Sequence, residues 1–187
     1  MKHAVLALTL CLGASAMYAQ QSVRMTFSGT WIPTAINQQP NSVTDEEHLA
    51  GNGTFGSFTL HQLRTDGAAP QASSNCSGAA TANLPVLAGA GAFRFSDGSL
   101  LTIETSGGGL CIDFGAGSAR MTETFRITGG TGRFKGATGN LTLTGAVQPL
   151  LFVKGSTTQA IFLTITGQLT GTISGVSKEE DQEDDRR

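Results

Sequence analysis

The chain has 187 residues, with 12 basic and 14 acidic side chains. Residues 178–187 hold three of the basic and six of the acidic side chains, and Lys2 is a further basic one. Without them, the chain has eight charges of each sign. This balance excludes a basic surface that binds nucleic acid or anionic lipid. The length suits one domain with a substantial core.

Residues 1–19 have the features of a secretory signal peptide. Lys2 supplies the positive end, and an apolar run leads into small residues. Cleavage is predicted after Ala16 or after Ala19. A lipid anchor on Cys11 is disfavoured because the residue before it is bulky, and the apolar run is too short to span a bilayer. We therefore expect a secreted or periplasmic bacterial protein.

Residues 20–176 alternate between apolar and polar side chains with the period of β-strands. Val23, Met25 and Phe27, for example, are separated by polar neighbours. About eight strands fit into this range, which predicts an all-β fold, a single antiparallel closed β-barrel. One face of most strands carries Thr, Ser and Gly instead of lipid-facing apolar rows, so no membrane insertion is expected.

The segment Asp45-Glu46-Glu47-His48 combines residue types that bind metals. Neighbours on a strand point to opposite faces, and four neighbours on a loop seldom converge on one point. We therefore interpret the segment as a solvated polar loop. No metal and no other cofactor is expected.

Cys76 and Cys111 are the cysteines that remain after the leader. In an exported protein two cysteines most simply form one disulfide. Their wide separation lacks the C-x-x-C spacing of metal or redox pairs. Residues 68–85 contain Pro, Ser and Asn and are predicted to be a loop, which Cys76 joins to the strand around Cys111.

The segment from Phe93 to Ile103 predicts a β-hairpin. A two-residue turn at Asp97-Gly98 places Phe93 and Phe95 on the opposite face from Leu101 and Ile103. A three-residue loop with Gly98 in the left-handed conformation pairs Phe93 with Leu101 and puts all four apolar side chains on one face. We expect the three-residue loop.

Glu123 is the candidate catalytic or ligand-binding residue. It shares a strand face with Met121 and Phe125, which are the other candidate ligand-binding residues. If this face points inward, desolvation raises the pKa of Glu123, and the carboxyl group can act as acid, base or ligand anchor. The alternative, which we favour, places Glu123 at the rim of the barrel, solvated or paired with an arginine such as Arg120. Asp113 is a further candidate.

Residues 128–136, Thr-Gly-Gly-Thr-Gly-Arg-Phe-Lys-Gly, superficially resemble a dinucleotide-binding turn. The third glycine comes one residue late, and a strand pattern follows where that motif needs a helix. We interpret the segment as a barrel corner in which glycines adopt special backbone angles and a phenylalanine plugs one end. The residues of this predicted structural corner are Gly129, Gly130, Gly132, Phe134 and Gly136.

The corner, the 93–103 hairpin and the cysteine pair together resemble the allene oxide cyclase/dirigent barrel superfamily, particularly its small secreted bacterial members. The resemblance covers roughly residues 89–145 and is architectural elsewhere. It implies a closed barrel. The plant enzymes of the superfamily bind a hydrophobic substrate in the barrel cavity and guide its reaction mainly by the shape of that cavity. By analogy, the resemblance implies such a cavity here. No catalytic residue of the family is matched to a position here.

Three functions are compatible with these observations. The mature chain has few catalytic groups, so the first hypothesis is a non-catalytic barrel that binds a small apolar ligand or serves as a structural module. The second is a cyclase, isomerase or dirigent-type enzyme with Glu123 in its cavity. The third is a surface or matrix interaction protein that uses residues 177–187, which are predicted to form a disordered acidic tail.

Overall fold

The computed structural model describes residues 19–34, 40–73, 76–80, 82–156 and 159–177. The predicted leader, apart from its last residue, and the acidic tail from residue 178 lie outside these ranges. The described residues form nine strands and one 3-10 helix at Gly132–Phe134. The strands are β1 Gln21–Pro33, β2 Ser42–Gly53, β3 Gly56–Gly67, β4 Gln71–Ala72, β5 Ala82–Phe95, β6 Leu100–Asp113, β7 Ser118–Gly130, β8 Thr138–Phe152 and β9 Ala160–Ser174.

Eight of the strands close into an antiparallel barrel, as the sequence predicts. The hydrogen-bonded order is β3-β2-β1-β9-β8-β7-β6-β5, and pairing of β3 with β5 completes the ring. The two-residue strand β4 adds to β5 from outside the ring. Closure leaves the eight barrel strands without the unpaired edges that favour aggregation.

Alternation along the strands fills the interior with apolar side chains. Met25, Phe93, Leu143 and Leu169, from four different strands, are almost completely buried. Burying a side chain of this size stabilises the fold by about 1.5–3 kcal/mol. No helix in the described part of the chain is long and apolar enough to span a membrane.

Phe134 lies at the end of the barrel where the β2–β3 turn and the β5–β6 hairpin meet. It is fully buried on the 3-10 helix, and its ring packs against the rings of Phe55 and Phe95. The Arg133 guanidinium lies over these rings and forms an ion pair of 3.1 Å with Asp97. The predicted glycine-rich corner thus surrounds an aromatic cluster.

The β5–β6 hairpin has the predicted three-residue loop. Phe93 pairs with Leu101, and Gly98 has a positive φ of 84°. Phe93, Phe95, Leu101 and Ile103 are all buried. The need to bury four apolar side chains on one face therefore selects the bulged loop.

Cys76 and Cys111 form the predicted disulfide. A disulfide is typical of proteins in oxidising, exported environments. The predicted loop at residues 68–85 is only partly correct, because β4 and the start of β5 fall within it. Ala82–Pro85 pairs with the end of β6, which is the same part of β6 that carries Cys111.

Candidate functional site inside the barrel

Charged and polar side chains collect inside the barrel, towards the end opposite Phe134. Alternation on β2 and β3 turns five of them inward, and β7 contributes a sixth. None exposes more than 3% of its surface. We call this group the interior cluster. Its members are Asp45, Glu47, Gln62, Arg64, Asp66 and Glu123.

Arg64 is the centre of the interior cluster. Its Nε and Nη2 atoms donate to the two carboxylate oxygens of Asp66, at 3.0 and 2.8 Å. Its Nη1 atom donates to Glu47 Oε1 at 2.5 Å and also contacts Met121 Sδ. The guanidinium carbon lies 4.2 Å from the ring centre of Trp31, a cation–π distance. Arg64 is therefore held on all sides by side chains of the barrel interior.

Glu123 joins the interior cluster from the opposite wall. Its Oε1 atom accepts hydrogen bonds from Gln62 Nε2 at 2.7 Å and from Thr105 Oγ1 at 2.5 Å. Its Oε2 atom lies 3.6 Å from Arg64 Nη1. Three strands thus fix the position of one carboxyl group.

The favoured rim position of Glu123 is wrong. Glu123 has no exposed surface, and its arginine partner is Arg64. Arg120 is three positions away on β7, so it points to the outer face, where it donates to the Ser77 carbonyl at 3.4 Å. The inward placement, which the sequence left open, is the one that the structure has.

Two glycines allow neighbouring strands to pack closely beside the interior cluster. Gly91 on β5 pairs with Gln62, and Gly108 on β6 pairs with Glu123. A Cβ atom at Gly91 would lie 3.0 Å from Gln62 Cβ, and one at Gly108 would lie 2.5 Å from the Thr122 carbonyl. Because these positions carry no side chain, β5 lies close against β3 beside Gln62, and β6 lies close against β7 beside Glu123.

Burial raises the pKa of three acids of the interior cluster. Desolvation raises the pKa of Asp45 and of Glu47 to about 7, although the positive charge of Arg64 opposes both shifts. Desolvation also raises the pKa of Glu123, against the opposing effects of Arg64 and the hydrogen bonds from Thr105 and Gln62. Burial by itself would lower the pKa of Arg64, but the surrounding carboxylates raise it.

Four carboxyl groups therefore surround one permanent cation. A guanidinium remains protonated in proteins, and it neutralises only one of the four. The raised pKa values mean that the cluster holds protons near neutral pH that ordinary surface carboxylates release. Ionised and protonated carboxyl groups thus coexist within one small volume.

Several acceptor atoms of the cluster are left without a hydrogen bond. Glu47 Oε2, Gln62 Oε1 and Glu123 Oε2 are buried and accept none from the described residues. Most buried polar atoms in proteins are hydrogen-bonded, so these exceptions are free acceptors for a donor on a water molecule or a ligand. Protonation of a neighbouring carboxyl group is a further way to supply a donor.

Met121 and Phe125, the other candidate ligand-binding residues, lie inside the barrel next to Glu123. Both are almost completely buried. Their role in binding remains a prediction. Arg64 and Asp66 were not predicted from the sequence, although these residues and Gln62 form a polar row with the period of a strand. Such a row normally indicates a solvent face, and the sequence does not reveal that this one points inward.

The segment 45–48 is part of β2, so its interpretation as a solvated loop is wrong. Alternation divides it between the two faces of the barrel wall. Asp45 and Glu47 enter the interior cluster, whereas Glu46 and His48 lie outside beside His61 of β3. The register between β2 and β3 creates this outer group, and no sequence spacing shows it.

Asp113 lies apart from the interior cluster. Its Oδ1 atom accepts hydrogen bonds from the backbone N–H groups of Gly115 and Ala116, at 2.9 and 3.0 Å. This pattern stabilises the turn between β6 and β7. The contacts account for Asp113 as a turn residue.

No protein-family model matches the chain, and no match is found among curated proteins. Among solved structures, the chain is similar to a pterocarpan synthase dirigent protein at 13% identity and a TM-score of 0.40, covering 89% of this chain and 97% of the other. It is also similar to a nonspecific heme-binding cyclase that catalyses a cycloaddition during neoabyssomicin biosynthesis. That likeness has 15% identity and a TM-score of 0.41, and covers 91% and 77% of the two chains. At these values, function has to be argued from the residues of this chain.

Proposed function

We propose that the interior cluster is an acid–base site for a small, largely apolar substrate, in the manner of a cyclase or isomerase. The observation that carries this proposal is the excess of buried carboxyl groups over Arg64. One acid is enough to neutralise a buried guanidinium. Further buried acids destabilise the fold when ionised, which indicates that they serve a purpose other than stability.

The arrangement of the acids supports proton transfer. Glu47 and Glu123 both lie against Nη1 of Arg64, at 2.5 and 3.6 Å. Ionisation of one raises the pKa of the other, because two like charges close together oppose each other. Such a pair supplies a proton donor and a proton acceptor at the same pH. We assign Glu123 as the primary acid–base group because Gln62 and Thr105 fix its orientation.

The surroundings of the cluster define the class of substrate. Apolar side chains form the rest of the interior, so the bound molecule is mainly apolar. A carbonyl or hydroxyl group on that molecule can bond to a protonated carboxyl group or to an acceptor oxygen of the cluster. Leu84, Ile112 and Leu163 pack on the core while remaining partly exposed. In this proposal they move aside to admit the substrate.

Trp31 provides a direct test, because it is the only tryptophan in the chain and lies on Arg64. A panel of small apolar ketones and alcohols is titrated into the protein while tryptophan emission is recorded. Compounds that change the emission are then incubated with the protein and checked for conversion. We expect E123Q to bind the active compound and to lose most of its conversion, because glutamine keeps the size of the side chain without its proton transfer.

The matched control is E104Q, which removes an exposed carboxylate paired with Arg126 on the outer face. It should convert the compound at the wild-type rate. If a compound binds and is converted equally by E123Q and E47Q, the acid–base proposal is wrong.

A second candidate is non-catalytic binding of an apolar ligand. The apolar side chains that form the rest of the interior favour it, because such a lining binds an apolar molecule without acting on it. This candidate predicts that compounds change the Trp31 emission and are recovered unchanged. Export of the protein, membership of the cyclase/dirigent superfamily and a role of the acidic tail in binding a partner remain proposals from the sequence.

A further inference from the structure

We infer that the outer face of β2 and β3 holds a divalent transition-metal ion of the Zn²⁺ type, bound by Glu46, His48 and His61. This site is separate from the interior cluster and independent of the proposed function. The barrel wall lies between them, because residues that alternate along β2 point to opposite faces. We call it the outer triad.

The register of the two strands builds the outer triad. His48 and His61 pair directly across β2 and β3, and their rings stack with centres 4.3 Å apart. Glu46 lies two residues before His48 and therefore on the same face. Its Oε1 atom lies 2.9 Å from His48 Nε2 and 2.7 Å from His61 Nε2. Both imidazoles thus aim the same ring nitrogen at one point.

The donor atoms match the preferences of zinc. Two imidazole nitrogens and one carboxylate oxygen form a set found in zinc sites, where a water or substrate takes the fourth position. In a tetrahedral site with bonds of about 2.0–2.1 Å, donor atoms are roughly 3.3 Å apart. Both imidazole nitrogens therefore need to move about half an ångström away from the Glu46 oxygen to admit the ion. The three donor atoms already lie within 4.8 Å of one another.

The side chains are accessible from solvent. The exposed fractions of the His48, His61 and Glu46 side chains are 51%, 60% and 36%. These values leave an open side for the ion to enter and for a water ligand. On the two flanking strands, Thr30 of β1 pairs with His48, and Ala92 of β5 pairs with His61. Neither residue carries a charge that would repel a cation.

The electrostatics of the group are also suitable. Glu46 supplies the single carboxylate of the triad, beside two imidazoles. On metal binding, each imidazole turns a lone pair of Nε2 towards the ion and carries its proton on Nδ1. The single carboxylate charge then offsets part of the charge of the ion.

Calorimetric titration of ZnCl₂ into the full mature chain, prepared without a histidine tag, tests the inference. We expect one ion per chain at the triad. The H48Q and H61Q variants should each bind zinc at least about tenfold more weakly. Loss of a residue that only hydrogen-bonds to a metal ligand already lowers metal affinity by about tenfold or more, and here a ligand itself is lost. Co²⁺ in place of Zn²⁺ should show the absorption of a tetrahedral site.

Two controls separate this site from other acids. E104Q removes an exposed carboxylate elsewhere on the barrel and should bind zinc as the wild type does. A chain that ends at residue 177 lacks the acidic tail and should also keep the site. Circular dichroism checks the fold of each variant. Absence of zinc binding at millimolar concentration, or equal binding by the H48Q/H61Q double variant, would overturn the inference.

Discussion

Replacement of Glu47 by glutamine should make the barrel more resistant to alkaline conditions. Glu47 is fully buried, and burial raises its pKa from 4.5 to about 7. The folded state therefore binds its proton more tightly than the unfolded state does. Stability from this group is complete below about pH 4.5 and is lost as the pH rises through 7. Glutamine keeps the size of the side chain and an oxygen that accepts from Arg64, but it cannot ionise.

The magnitude follows from the shift in pKa. A difference of one pKa unit corresponds to about 1.4 kcal/mol, so the rise of Glu47 from 4.5 to about 7 is worth roughly 3 kcal/mol. We therefore expect the free energy of unfolding of E47Q, relative to wild type, to increase by about 3 kcal/mol between pH 4.5 and pH 8. Any constant effect of the substitution cancels in this comparison.

Denaturant unfolding under non-reducing conditions, followed by Trp31 emission across this pH range, measures the difference. The control E104Q alters an exposed ion pair, whose contribution is about 0–1 kcal/mol, so its difference from wild type should change little. The opposite result is a free energy of unfolding of E47Q, relative to wild type, that stays constant or falls as the pH rises. That result would mean that Glu47 is a stable ionised partner of Arg64. The argument for a proton-holding interior cluster would then fail.

Three further predictions concern the fold. R64M leaves four buried acids without their cation and should cost about 3–5 kcal/mol of unfolding free energy at pH 8. The cost should be smaller at pH 5, which lies below the raised pKa of about 7 of Asp45 and Glu47. G108A should cost about 1–3 kcal/mol, because Gly108 has a φ of +149° and an added Cβ would lie 2.5 Å from the Thr122 carbonyl. G107A, whose added Cβ meets only Thr124 Oγ1 at 3.5 Å, should be tolerated; equal thermal stability of the two would contradict this account. Replacing both cysteines by serine should lower stability by about 4 kcal/mol through opening of a 35-residue loop, and an unchanged denaturation midpoint would contradict that.

Local patterns were sufficient for the architecture. Alternation between apolar and polar residues predicted the closed barrel, because each strand must bury one face. The hairpin at Ser96-Asp97-Gly98 was predicted by the same requirement. The disulfide followed from two cysteines in a chain with a predicted export signal. Each of these inferences uses neighbours along the chain or a simple count of residues.

The interior cluster could not be predicted in this way. Arg64 and Glu123 are far apart in sequence, and they meet because pairing of β3 with β5 closes the ring. A polar row on a strand favours an outward face, since burying charge is costly. That expectation misplaced Glu123 and overlooked Arg64, because each charge is stabilised by partners from other strands.

The sequence by itself determined which residues share a strand face, because successive side chains point to opposite sides of a strand. Only the tertiary structure decided which face is the inner one and which faces meet. Pairing of β2 with β3 placed Asp45 and Glu47 beside Arg64 and His48 against His61, and closure of the ring added Glu123. Both arrangements depend on hydrogen bonds between strands, and those contacts join residues that no local pattern connects.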